Sequence, residues 1–231
     1  MRVLVFDTET TGLPKSRNIG PDSLNLWPHI VQLSYIIYDI SFNEIVEQKD
    51  FIIRVPDNVD IPEESYKLHG ISKQISQEKG IDIKDALSWF YFHLKNVSKL
   101  IGHNVSFDIN MIKVETLRII YNKFTPPQLT KMFKYDFHYF TNYNDIICTL
   151  QDSIKLCNIQ AIDKFGKSYL KYPKLVELHQ KLFDTTPNNL HNSLNDILIT
   201  LRCFMKLKYG VDLNRNCKPF INAAKKINLL Q

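Results

Sequence analysis

Val3-Leu4-Val5-Phe6-Asp7-Thr8-Glu9-Thr10-Thr11-Gly12-Leu13-Pro14 is the stretch from which the rest of the chain can be read. Its first residues are apolar and rich in β-branched side chains, the mark of a buried strand. Gly12-Leu13-Pro14 closes it as a turn. Side chains two apart on a strand share a face, so Asp7 and Glu9 leave it on the same side. Two carboxylates that close repel unless a proton or a cation lies between them. Oxygen-rich clusters of this sort suit hard cations such as magnesium or manganese. Two solvated acids at a strand end would look the same in isolation, so the assignment turns on whether later segments supply more acids.

The 231 residues are enough for one substantial core. A hydrophobic fraction of 44% and a charged fraction of 23% are ordinary for a soluble globular chain. The net charge of +5 is compatible with an anionic partner such as nucleic acid but is weak evidence by itself. None of the four cysteines, Cys148, Cys157, Cys203 and Cys217, forms a Cys-x-x-Cys pair or has a histidine at a zinc-finger offset, which argues against a zinc site. Met1-Arg2 leads straight into the first strand, with no secretory signal, and no apolar run is long enough to span a bilayer. The expectation is a soluble intracellular protein, cytoplasmic, with free thiols and no membrane partner.

After a polar connection from Lys15 to Pro28, the continuously apolar run Ile30 to Ile40 predicts a central strand. Ser41-Phe42-Asn43 predicts a hairpin turn and Glu44 to Val55 a returning strand. A short helix begins at Pro62 and stops at His69-Gly70. Asp82 caps a longer one, in which Ile83, Ala86, Leu87, Phe90 and Leu94 share a face. Lys99 to Gly102 reads as a short strand, Asn104 or Ser106 as the cap of a helix running toward Tyr121, and Asp145 to Leu150 as another strand. Lys123 to Asn144 is aromatic, basic and irregular. It is either a packed connecting loop or small helix, or a platform for stacked bases beside phosphate-binding lysines. Lys174 to Phe183 is helical, with His179 on its packed face. The helix after His191 carries Leu194, Ile197, Leu198, Leu201 and Met205 on one stripe, and Gly210 ends it. Early strands followed by strand–helix alternation define an α/β domain with a mixed sheet, assigned to residues 1–208. The tail 209–231 is expected to dock as a helix.

Two further acids stand at helix starts. Asp108 follows the strand end Gly102-His103-Asn104-Val105-Ser106-Phe107, and Asp196 follows His191-Asn192-Ser193-Leu194-Asn195. Helix N-termini welcome acids through the macrodipole, so either one alone is readily structural. If the last helix starts at Asn192 or Ser193, His191 lies in the loop before it and can reach around toward the acids.

Taken together, these segments resemble the three exonuclease motifs of the DEDD superfamily, in its DnaQ-like branch with a motif-three histidine (DEDDh). Phe6 to Pro14 is similar to the first motif, Gly102 to Asp108 to the second and His191 to Asp196 to the third. The third commonly has alanine or another small residue where Ser193 stands. Leu68-His69-Gly70-Ile71-Ser72 and Tyr172 to Phe183 also resemble the family, and the resemblance spans about residues 1–208.

That resemblance implies a ribonuclease-H-like fold, a mixed five-stranded sheet flanked by helices. It implies a metal-dependent 3′→5′ exonuclease that releases 5′-mononucleotides from the 3′ end of nucleic acid, DNA favoured over RNA. Two Mg²⁺ or Mn²⁺ ions per site are implied. Asp7, Glu9 and Asp196 would hold the ion nearest the attacking water, Asp7 would bridge to the second ion, and Asp108 would act there through water. His191 would be the general base. Thr10, Thr11, Gly12 and Leu13 would grip the 3′-terminal nucleotide, with Leu13 wedged at its base and His69 near it. The implied partners are single-stranded nucleic acid or 3′ ends and possibly a separate polymerase; oligomeric state is not addressed by the motifs. A 3′→5′ exoribonuclease is the alternative within the class. A non-catalytic nucleic-acid-binding or polymerase-accessory module is the alternative outside it, disfavoured because all five side chains match.

Overall fold

The computed structural model describes residues 1–188, 190–227 and 229. The chain runs β1 (Arg2–Thr10), a 3-10 turn (Pro21–Leu26), β2 (Ile30–Asp39), β3 (Glu44–Ile52), α1 (Glu63–His69), α2 (Lys73–Lys79), α3 (Ile83–Leu94), β4 (Lys99–Gly102), α4 (Val105–Tyr121), α5 (Pro127–Thr141), β5 (Ile146–Cys148) and α6 (Thr149–Cys157). It continues through a small hairpin, β6 (Gln160–Ile162) and β7 (Ser168–Leu170), to α7 (Leu175–Phe183), α8 (Ser193–Tyr209), α9 (Leu213–Asn216) and α10 (Lys218–Lys226). The main sheet has five strands in the order β3-β2-β1-β4-β5. β1 pairs antiparallel with β2 and parallel with β4, so the sheet is mixed, as expected.

Each face of the sheet is buried under helices. Leu4 and Phe6 of β1 join Leu33 and Tyr35 of β2 in a core with α3, α4 and α5. Val3 and Val5 join Ile36 and Tyr38 in a second core with α7, α8 and α10. β2 is buried along its whole length, which is why its sequence is apolar without alternation. The edge strand β3 alternates exposed and half-buried positions and carries Glu44, Glu47, Lys49 and Asp50. The two-faced core decides the site. The period-2 rule sends Asp7 and Glu9 to the α8 face and Thr8 to the α4 face.

Some expectations are corrected. β3 stops at Ile52 rather than Val55, because the chain peels away after Ile53, whose bridge to Ile81 runs parallel. β5 spans only three residues, and α6 begins at Thr149. Asn104 precedes α4 but makes no side-chain cap; its backbone is left-handed at φ 63°. The Lys123–Asn144 stretch, irregular in sequence, takes the packed helix of its two readings. Its centre is the 15-residue α5, whose Phe133 and Phe140 are buried in the α3–α4 core. His179 is packed as read, its Nδ1–H donating to the Thr185 carbonyl at 2.8 Å while Arg202 donates to Nε2 at 2.8 Å. In the tail, Phe220 and Ala224 of α10 enter the second core. No helix among the described residues is long and apolar enough to cross a membrane.

Candidate metal centre

Three carboxylates converge at the end of β1. Asp7, Glu9 and Asp196 each offer an oxygen, and these oxygens lie within 4.8 Å of one another. β1 supplies two of them on its α8 face, and the first turn of α8 supplies the third. Polar residues of β2 fix the start of α8. The Ser193 N–H donates to Gln32 Oε1 at 3.2 Å, and Ser193 Oγ lies 2.5 Å from Ser34 Oγ. That contact explains a hydroxyl at the position where the motif usually has a smaller side chain. Asn192 caps the helix by accepting the Leu194 N–H at 3.2 Å.

Asp108 approaches from the other face. Its Oδ1 accepts both the N–H of Thr8, at 2.9 Å, and the Thr8 hydroxyl, at 2.7 Å. Asp108 therefore stands beside the three-carboxylate group rather than within it. Thr8 escaped the sequence reading, though strand alternation carries the signal: the residue between two metal-facing acids must point at the opposite element.

Charge is crowded here without compensation. Burial raises the Asp7 pKa well above its ordinary value, and Asp108, Asp196 and Glu9 raise it further. Burial, then Asp196 and Asp108, push Glu9 up to about 8. Burial takes Asp108 to about 7 against the opposing Thr8 bonds, and Asp196 to about 7 against a hydrogen bond from the His191 backbone. Asp196 Oδ1 is buried with no hydrogen-bond partner. An all-oxygen donor set, an orphaned carboxylate oxygen and mutual repulsion together fit a divalent cation.

Around this group, His191 sits in the loop one residue before the cap, exposed, with φ 70°. A left-handed backbone costs an L residue about 1–2 kcal/mol. His69 is buried at the end of α1, and burial lowers its pKa while the nearby Thr10 backbone opposes the fall. Its Nδ1 accepts the Ile71 N–H at 3.1 Å, so the ring proton is on Nε2, which has no partner of normal geometry. Thr10 Oγ1 donates to the Gly12 carbonyl at 2.7 Å, and the Thr11 N–H donates to the His29 carbonyl at 2.9 Å. Gly12 has φ 149°, a conformation that side chains disfavour, and it turns Leu13 outward to 81% exposure.

Two other groups near the motifs were not read from the sequence. His103 Nε2–H donates to the Pro173 carbonyl at 3.0 Å, and its Nδ1 lies 3.0 Å from Thr149 Oγ1. Glu115 and Arg118 on α4 clamp the segment before β2: Arg118 donates to the carbonyls of Leu24, Trp27 and Pro28, and Glu115 accepts the Ile30 N–H at 3.1 Å. Both depend on contacts distant in sequence, and no local pattern marks them.

A mixed sheet carrying carboxylates from β1, α4 and α8 at one end defines a nuclease-type ribonuclease-H-like domain. The chain belongs to the Exonuclease family, whose model matches residues 4–204. A DNA polymerase III subunit epsilon from Buchnera aphidicola subsp. Schizaphis graminum is 34% identical over 118 residues, 49% of this chain and 45% of that subunit. E. coli exonuclease I, solved with a dT13 oligonucleotide, superposes with a TM-score of 0.59 at 17% identity, covering 93% of this chain and 42% of that one. The zinc-bound form of E. coli exonuclease I with single-stranded DNA gives 0.58 at 17% identity, covering 90% and 41%. The chain thus spans less than half the length of these relatives.

Proposed function

We propose that this chain is a divalent-metal-dependent 3′→5′ exonuclease that removes 5′-mononucleotides from the 3′ end of single-stranded DNA. The observation that carries the reading is the convergence of Asp7, Glu9 and Asp196 within 4.8 Å, with Asp196 Oδ1 buried and unpartnered. Membership of the Exonuclease family supports the reaction class. The relatives support DNA as substrate: one is a DNA polymerase subunit, and another is solved with single-stranded DNA.

In this reading Asp7, Glu9 and Asp196 would hold the cation, and Asp7 with Asp108 would serve a second one. Bound in that position, magnesium or manganese supplies Lewis-acid stabilisation of the attacking and leaving oxygens of a phosphodiester. Thr8 keeps Asp108 at its post with two hydrogen bonds to one carboxylate oxygen. His191 takes a proton from the attacking water; its place in the loop frees the imidazole from the helix face and exposes it. The Thr10–Leu13 turn grips the terminal nucleotide, with exposed Leu13 against the base. His69, buried beside the Thr10 backbone, lies near that nucleotide.

The test is digestion of matched 5′-labelled DNA and RNA oligonucleotides with magnesium, manganese or EDTA. A ladder shortening from the 3′ end, faster on DNA and silenced by EDTA, is expected. Shortening from the 5′ end, or cleavage surviving in EDTA, would overturn the mechanism; faster RNA cleavage would move the substrate to RNA. Recovery of a separate polymerase bound to this chain would further support a proofreading role, which the epsilon-subunit relative suggests.

A further inference from the structure

The hairpin β6–β7 stands apart from the other elements among the described residues. It is a two-stranded sheet detached from the main one, and its apolar side chains point into solvent. Phe165 is 82% exposed, Ile162 74% and Tyr172 60%. From Ile159 to Lys174 the segment carries four lysines against a single acid, Asp163. That acid is already used: Asp163 Oδ1 accepts the N–H groups of Phe165, at 2.8 Å, and Lys167, at 2.9 Å. With Gly166 at φ 81° these bonds make a fixed tip, on which Lys164 Nζ sits 5.0 Å from the Phe165 ring centre. Lys171 is paired with Glu177 at 2.7 Å, but Lys164 and Lys167 stand beside the exposed rings at the tip, a surface poorly suited to plain solvation.

The foot of the hairpin is tied to the carboxylate end of the sheet. β1 and β4 run parallel, with Val5 opposite Ile101, so His103, just past the end of β4, lies at the same end of the sheet as Asp7. His103 then holds the hairpin's trailing segment through the Pro173 carbonyl and braces on Thr149. The other aromatic and basic element, α5, lies at the opposite end. The chain just beyond it is bound there through the Tyr143 hydroxyl to the carbonyl of Val97, immediately before β4 begins.

We propose that the β6–β7 hairpin is the binding surface for the incoming single strand, with Phe165 and Tyr172 stacking on bases and Lys164 and Lys167 pairing with phosphates a few nucleotides from the 3′ end. This rests on the exonuclease reading of the adjoining site. Stacking platforms interspersed with cations are how single strands are bound without sequence preference. Because the foot rather than the tip is held at the carboxylate end of the sheet, the hairpin contacts the strand away from the terminal nucleotide.

The test is equilibrium binding by the full chain to a fluorescein-labelled oligothymidylate of about 20 nucleotides, by anisotropy in calcium to slow cleavage. Phe165→Ala should weaken binding about tenfold. Lys164→Glu/Lys167→Glu should weaken it further and flatten the salt dependence of log K by about 1.4, two phosphate contacts' worth for a single strand. Both changes are on the surface, and an unchanged unfolding midpoint would verify that the variants fold. Affinity within twofold of the unaltered chain and an unchanged salt slope would overturn the proposal. So would failure of the unaltered chain to bind, or a change confined to self-association, which would make the hairpin a protein contact. Hydrolysis of the p-nitrophenyl ester of thymidine 5′-monophosphate by the unaltered chain checks the nuclease site separately: its absence alongside hairpin-dependent binding would sink the exonuclease reading and leave only a hairpin that binds single strands.

Discussion

Asp108 and Glu115 stand seven residues apart on α4, two turns along the same stripe, and both are buried. Their surroundings are opposite. Burial alone would raise the Glu115 pKa, but His29, Arg118 and the Ile30 N–H more than offset it, and the carboxyl is held below its ordinary value. Asp108, with Thr8 as its neutral partner and acids beyond, is pushed up to about 7. One helix thus bears an acid that the fold has satisfied and an acid that it has left waiting. The first kind stabilises structure. The second stores unfavourable charge that a bound cation can relieve, which is the mark of a functional site.

The comparison breaks most visibly in activity. Asp7→Ala should reduce DNA cleavage by about 10⁴-fold or more, roughly 5.5 kcal/mol of transition-state stabilisation, because it removes a ligand shared by both proposed ion positions. Manganese titration by calorimetry should show weakened binding in the same variant. His191→Ala should cost about 10²–10⁴-fold in kcat while manganese affinity stays near the unaltered value. Equal loss of metal affinity in the two variants would make His191 a ligand rather than a base.

On the satisfied side, Glu115→Ala should cost about 3–5 kcal/mol of unfolding free energy, because it leaves the largely buried Arg118 guanidinium without its counter-charge. For a chain of this size that is a fall in Tm of about 10 °C, readable by calorimetry. A change below about 1 kcal/mol would mean that the backbone carbonyls around Arg118 carry the clamp alone.

The contrast also separates what the sequence discloses from what it hides. Asp7, Glu9, Asp108 and Asp196 were legible because their spacing relative to strand ends and helix starts is local. The continuous apolar run of β2 and the stripe of α8 set the mixed sheet and its cover for the same reason. Glu115 and Arg118 were invisible because their partners lie about 85 to 94 residues away, in a segment that reads only as a polar connection. The Lys123–Asn144 stretch seemed irregular because its prolines and lysines mask a helix whose inward face is Phe133, Asp136 and Phe140. Asp136 survives there by pairing with Lys95 at 2.5 Å. The β6–β7 hairpin was missed for a different reason: three-residue strands with exposed apolar side chains carry no alternation to detect.

The smallest expected effect is the sharpest, because its sign reverses. The folded-state pKa values of Glu9, Asp108 and Asp196 lie above their unfolded values, so the metal-free fold binds protons more tightly than the unfolded chain. Their contribution to stability is therefore fully present below about pH 4 and is lost as pH rises toward 7 to 8. Glu115, held low, works the other way and loses its contribution as pH falls. Asp196→Asn removes one of the mutually repelling charges, so in EDTA at pH 8 the variant should be more stable than the unaltered chain by about 2 kcal/mol, discounted for solvent screening. That gain should shrink as pH falls below about 7. Magnesium at a hundredfold excess over its Kd should then stabilise the unaltered chain by about 2.7 kcal/mol and a variant whose affinity falls a hundredfold by only about 0.4 kcal/mol, reversing their order. Denaturant midpoints at pH 5 and pH 8, each with EDTA and with magnesium, read the whole pattern. A variant that is less stable in EDTA at pH 8 would mean that Asp196 is a satisfied acid like Glu115, and the contrast between satisfied and waiting acids would fail.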